Sequence, residues 1–184
     1  GQGGVILAAI LGGAYSSTVT TVVLARRSKK EGQDHLFSGG ILLASGVMYL
    51  RLIILLALFN QELMKQLAPA FLVLAMLAIT VGWLWSRQGD VTDLKTSDMI
   101  ETKNPLEISA ALLFAVLFVA MLVATHLAIK YLGQNGVYTL ASVMGVADVD
   151  PFIMGMAQAD TTLTPLHVVA SGILVAAASN NVAK

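Results

Sequence analysis

Three stretches of this chain, residues 40–59, 66–86 and 108–129, are long and predominantly apolar. About 20 helical residues cross a hydrocarbon core, and each stretch reaches that length. Three further runs, residues 4–25, 136–157 and 166–183, are similar in length but carry polar interruptions. Backbone in lipid must satisfy its hydrogen bonds within its own segment. The predicted fold is therefore all-α, a polytopic membrane helix bundle of six transmembrane helices. Composition agrees: 57% of the 184 residues are hydrophobic and 12% charged, and the mean hydropathy is +0.78.

The formal net charge is zero, so no basic surface argues for nucleic acid. Cysteine is absent, which removes disulfides, thiolate metal sites and cysteine nucleophiles together. The chain starts at Gly1 without a charged segment ahead of an apolar one, so no signal peptide is read. The expectation is a fragment of a longer chain, forming a single transmembrane domain over residues 1–184.

Basic residues set the expected orientation. Arg26, Arg27, Lys29 and Lys30 follow the first span, and Arg87, Lys95 and Lys103 lie between the third and fourth. The opposite side has Lys65 and Lys130, with Lys184 at the chain end. The positive-inside rule places loops 26–35 and 87–105 in the cytoplasm and the first residue outside, as in a bacterial inner membrane. Trp83 and Trp85 mark an interfacial belt. Asn104, Pro105 and Glu107 read as a helix start, with Asn as cap and Glu three residues later, so Glu107 is read as structural.

An ungapped shift of 132 residues aligns GQGGVILAAILGG with GQNGVYTLASVMG, and HLFSGGILLAS with HVVASGILVAA. Twelve of the 52 aligned positions are identical, where composition alone gives about four. Helices 1 and 2 thus match helices 5 and 6. An even number of crossings separates them, so the repeats run parallel. Repeat 1 covers about residues 1–86, a linker loop and helix cover 87–132, and repeat 2 starts at 133. On this plan a seventh helix follows Lys184.

The polar stretch GGAYSSTVTT of helix 1 falls opposite MGVADVDPFI of helix 5. Broken helices 1 and 5 are predicted, with breaks near Gly13 and Gly145. Paired interruptions point to a midplane substrate site, because unwound backbone frees carbonyls and amides to meet an ion. Asp148 lies about 18 Å from the outer end of its helix, at 1.5 Å per residue. The candidate ion-binding residues are Ser16, Ser17, Thr18, Thr20, Thr21, Arg51, Asp148, Asp150, Asn180 and Asn181, with Asp148 and Asp150 the candidate metal ligands. Arg51, deep in helix 2, needs an anionic partner; Asp148 and Asp150 are the only carboxylates at that depth, and a charged pair between helices 2 and 5 would make both tolerable.

Each residue has a plainer explanation. Asp150 before Pro151 suits a helix cap, as do Ser16 and Ser17. Intramembrane hydroxyls bond to nearby carbonyls, and the Asn180–Asn181 amides can join helices. His126 and His167 lie near span ends, without the second ligand that a metal site needs.

SSTVTTVVLARR, NPLE, GVADVDPF and SNNVAK resemble signature segments of the domain of unknown function DUF4010, a membrane domain often found after an MgtC/SapB domain. The resemblance covers nearly the whole chain, and matches it at residues 16–27, at Arg51, and at residues 104–107, 147–150 and 180–181. It implies a membrane protein of transport type, an MgtC-like domain as partner and, by that association, a link to magnesium. The MgtC portion is not in this sequence.

Two classes of function follow. One is a channel or secondary transporter for a small cation, whose oxygen ligands suit protons or hard ions such as magnesium with retained waters. The other is a non-transporting membrane anchor, sensor or regulatory module. No nucleophile–base pair or zinc signature accompanies the aspartates, so no enzyme is expected. The expected partners are the lipid bilayer and a second copy in a homodimer, which would cover polar atoms on helices 5 and 6.

Overall fold

The computed structural model describes residues 2–88, 108–158 and 164–184. Among them it is helical throughout: α1 (Gln2–Glu31), α2 (Asp34–Phe59), α3 (Gln61–Ser86), α4 (Ile108–Ala147), α5 (Val149–Ala157) and α6 (Leu166–Ala183). Helices α1, α2, α3 and α6 are long and apolar enough to cross a membrane. The chain is a membrane protein. The helix start read at Asn104 to Glu107 lies outside the described residues, as does the side chain of His126.

Local chemistry sets the helix ends. Gly32 has φ 67°, and its N–H donates to the Ser28 carbonyl at 2.9 Å, so a residue without Cβ closes α1. The cytoplasmic loop expected at 26–35 is correspondingly shorter, because nothing between Arg26 and Glu31 breaks the helix. Instead Arg27 pairs with Glu31 one turn on, at 3.7 Å. Asn60 alone joins α2 to α3. Its Oδ1 accepts the Leu63 N–H at 3.1 Å and caps α3, while its Nδ2 donates to the Ala157 carbonyl at 3.1 Å.

The expected fourth and fifth spans are joined more tightly than predicted. Gly133 (φ 57°, ψ −141°) is non-helical within α4, in a region that only glycine adopts readily. A methyl on Gly136 would land on the Ala128 carbonyl. Residues eight apart in a straight helix are separated by about 12 Å, so the chain doubles back at Gly133. Residues 134–147, in the segment expected as the fifth span, then lead into α5.

The chain divides into two compact units. One holds residues 2–55, 67–88 and 184, and the other holds residues 56–66, 108–158 and 164–183. In the first, small residues let backbones touch: a Cβ on Gly13 would lie 2.6 Å from Ala44 Cα, and one on Gly39 2.6 Å from the Gly82 carbonyl oxygen. Such approach is how helices gain packing energy in lipid, where apolar burial alone gives little. Ala9, Leu24, Phe37 and Leu43 form the core beside these contacts. Leu7, Leu11, Tyr15 and Val19, four apart along α1, are exposed and suit contact with hydrocarbon.

The second unit packs α4, α5 and α6 together. Here a Cβ on Gly145 would overlap the Ala176 carbonyl, and one on Gly172 would lie 2.9 Å from Val137. Their counterparts 132 residues earlier are Gly13 on Ala44, and Gly40 near Val5 at 4.0 Å. Phe152, Ile153, Met156 and Ile173 fill the core.

Candidate functional site

Both helices expected to break do so, three residues beyond the glycines where the interruptions were placed. Ser16 is extended inside α1, with φ −156° and ψ 107°. Asp148, between α4 and α5, has φ −156° and ψ 123°. The glycines are kept helical by their close contacts, and the interruption falls instead on residues whose side chains can cap. Ser16 Oγ accepts the Val19 N–H at 3.3 Å, and Asp148 Oδ1 accepts the Asp150 N–H at 3.2 Å. The cap of α5 is therefore Asp148 and not Asp150. Pro151 lacks the N–H that a cap commonly bonds at the third helical position, so Asp148 takes the second.

A break strands carbonyls at the end of the preceding segment. In the first unit Arg51 supplies the missing donor: its Nη1 lies 3.2 Å from the Ala14 carbonyl oxygen and 2.7 Å from that of Tyr15. In the second unit the buried Asn180 Nδ2 donates to the Gly145 carbonyl at 2.9 Å, while the Asp148 N–H satisfies Met144 at 2.8 Å. Charge follows the local dipoles. A guanidinium sits at the carbonyl end of one half-helix, and the carboxylates of Asp148 and Asp150 sit at the amide end of another.

The hydroxyls divide by role. Thr20 Oγ1 donates to the Ser16 carbonyl and Thr21 Oγ1 to that of Ser17, each at 2.8 Å. Both threonines are buried, and both bonds serve the backbone beyond the break. A Cβ on Gly12 would come within 2.5 Å of Thr20 Oγ1, so the turns on either side of Ser16 are drawn together. Ser17, also buried, accepts from the Lys184 ammonium at 2.7 Å. Lys184 Nζ lies 3.2 Å from Met48 Sδ as well.

The first unit thus gathers Ser16, Ser17, Thr20, Thr21 and Arg51 around one break. The second gathers Asp148, Asp150 and Asn180 around the other, with Asn181 next in α6. Thr18 is half-buried just beyond Ser16, and Asp150 and Asn181 are half-buried too, whereas Asp148 is exposed. Among the described residues no three His, Asp or Glu side chains come together, so a cation at Asp148 and Asp150 would keep water or take neutral oxygens. Sequence reasoning missed Lys184, which it treated as a chain end. The signal was available at the 132-residue offset, which sets Lys184 opposite Leu52, beside Arg51.

The chain matches the profile of the domain of unknown function DUF4010 across residues 1–184. It belongs to the DUF4010 family. An uncharacterized protein of Aquifex aeolicus (strain VF5) is 30% identical over 190 residues, covering 100% of this chain and 80% of that protein. No solved structure matches. The two capped breaks are thus features of a DUF4010 domain whose family description carries no activity.

Proposed function

We propose that this DUF4010 chain is a small-cation channel or secondary transporter, formed of six crossings in two parallel copies, with its cation ligands at the Asp148 break. The observation carrying this reading is the pair of extended residues, Ser16 and Asp148, 132 positions apart and alike in backbone conformation. Corresponding broken helices are a common way to build an ion site at the midplane. The glycine contacts spaced by the same 132 residues support duplication. The exposed Asp148 carboxylate and its half-buried neighbour Asp150 supply the negative charge, and magnesium with retained waters or a proton fits this chemistry. The reading is non-enzymatic. It places the chain in a plasma membrane as a homodimer, with residue 1 outside and residues 26–35 and 87–105 inside, alongside an MgtC-like domain.

A second reading, a non-transporting membrane module, draws on one specific observation. The carbonyls at both breaks are already taken, by Arg51 and by Asn180, so both interruptions can persist without an ion.

Asp148→Asn separates the two in liposomes tested against a panel of cations. Asparagine caps a helix as well as aspartate does, so stability should change by less than about 0.5 kcal/mol while flux falls at least tenfold. Unaltered flux in a stable variant removes Asp148 from the ion site. A stability loss of about 3 to 5 kcal/mol, independent of ions, would instead mean that this carboxylate neutralises Arg51.

A further inference from the structure

At one end of the first unit the finish of α1, the start of α2 and the finish of α3 meet. Ser28 donates to the Asp34 carboxylate, the His35 and Trp85 rings are 5.5 Å apart, and Gly39 abuts Gly82 and Ser86. Five basic side chains, Arg26, Arg27, Lys29, Lys30 and Arg87, share this end with two carboxylates, Glu31 and Asp34. Both carboxylates are engaged locally, Glu31 with Arg27 and Asp34 with Ser28.

Among the described residues, the excess positive charge at this end has a definite geometry. Arg26, Lys29 and Lys30 are spaced i, i+3, i+4, which puts them on one face of α1, and all three are exposed. Arg87 lies over the Trp83 ring, its guanidinium carbon 4.0 Å from the centroid. Trp83 and Trp85 are themselves exposed, at 44% and 43%, and indole rings favour the headgroup level. Because α1 stays helical through Glu31, its last turn and a half beyond Ala25 carries the lysines about 6 to 7.5 Å past the apolar run, at 1.5 Å per residue.

We infer that this end of the protein is a binding surface for anionic phospholipid headgroups, with Arg26, Lys29 and Lys30 on one side and the Trp83-stacked Arg87 on the other. The phosphodiester accepts hydrogen bonds from the guanidinium and ammonium groups, and the indoles pack on the glycerol and upper acyl region. The inference needs only membrane embedding and is independent of ion transport.

The test uses the full chain in phosphatidylcholine nanodiscs with increasing phosphatidylglycerol, reading the thermal unfolding midpoint and the lipid retained in native mass spectrometry. Wild type should gain stability and retain phosphatidylglycerol, and high salt should abolish both effects. The Arg26→Gln/Lys29→Gln/Lys30→Gln variant should bind roughly a hundredfold more weakly, at about fivefold per basic residue. Arg87→Gln should lose less, and inorganic phosphate in neutral discs should not substitute for the lipid. The salt series on wild type needs no variant, so it stands even if the triple change disturbs insertion. Residues 89–107 contain five carboxylates and two lysines; if they occupy the patch, salt will lower stability equally in neutral discs, and the inference fails. It also fails if phosphatidylglycerol leaves wild type unmoved, if the triple variant responds as wild type does, or if free phosphate reproduces the effect.

Discussion

A guanidinium within a lipid-crossing helix costs about 2.5 to 3.5 kcal/mol on insertion scales, and Arg51 offsets that cost by bonding to the carbonyls of Ala14 and Tyr15. Arg51→Met leaves both acceptors without this donor. At about 1 to 3 kcal/mol for each stranded group, the loss exceeds what removing the buried charge returns, and a net destabilisation of about 1 to 2 kcal/mol is expected in chemical unfolding. Arg51→Lys, a single ammonium without the fork, should fall between the two. The sequence made Arg51 conspicuous but not these partners. Charge pairing directs attention to carboxylates, whereas the Ala14 and Tyr15 carbonyls become acceptors only because Ser16 leaves the helix. The 132-residue offset sets Lys184 opposite Leu52, beside Arg51, but its contact with Ser17 also requires the path of the chain.

Helical elements were legible where apolar runs were long, and less so where small or polar residues decided the path. Placing the breaks near Gly13 and Gly145 followed from the alignment of the two polar interruptions, in which these glycines coincide. Both glycines instead serve as contact points, against Ala44 and Ala176, and the break passes to the capping residues three positions on. Substitution shows which property dominates. Gly13→Ala and Gly145→Ala each gain about 1 kcal/mol of helix propensity but force a methyl into backbone, which costs about 1 to 3 kcal/mol. Backbone atoms cannot rotate aside, so each change should destabilise by about 1 to 2 kcal/mol in the same assay. A neutral or stabilising result would mean that the helices separate freely at these points. The joint at Gly133 was hidden because it occupies one residue, where a loop of several was expected.

For the whole molecule, the absence of cysteine makes topology directly measurable. Single-cysteine variants at Gly32 and Asn60 should label from opposite faces of the membrane, with Gly32 reached from the cytoplasm by the positive-inside rule; labelling both from one face would refute α2 as a crossing. The 132-residue offset is readable in the sequence, and the close approaches of Gly13 to Ala44 and of Gly145 to Ala176 lie at that offset. The different chemistry of the two breaks was less readable, since a long cation serves one and a short amide the other. The break in α1 also bears on how the chain enters the membrane. Residues 2–15 and 17–31 give half-helices about 21 and 22 Å long, each short of a hydrocarbon core of about 30 Å. The first half ends in carbonyls whose donor, Arg51, is translated later. The first crossing is therefore chemically incomplete as it leaves the ribosome, and its settled state in lipid has to wait for the helix that follows it.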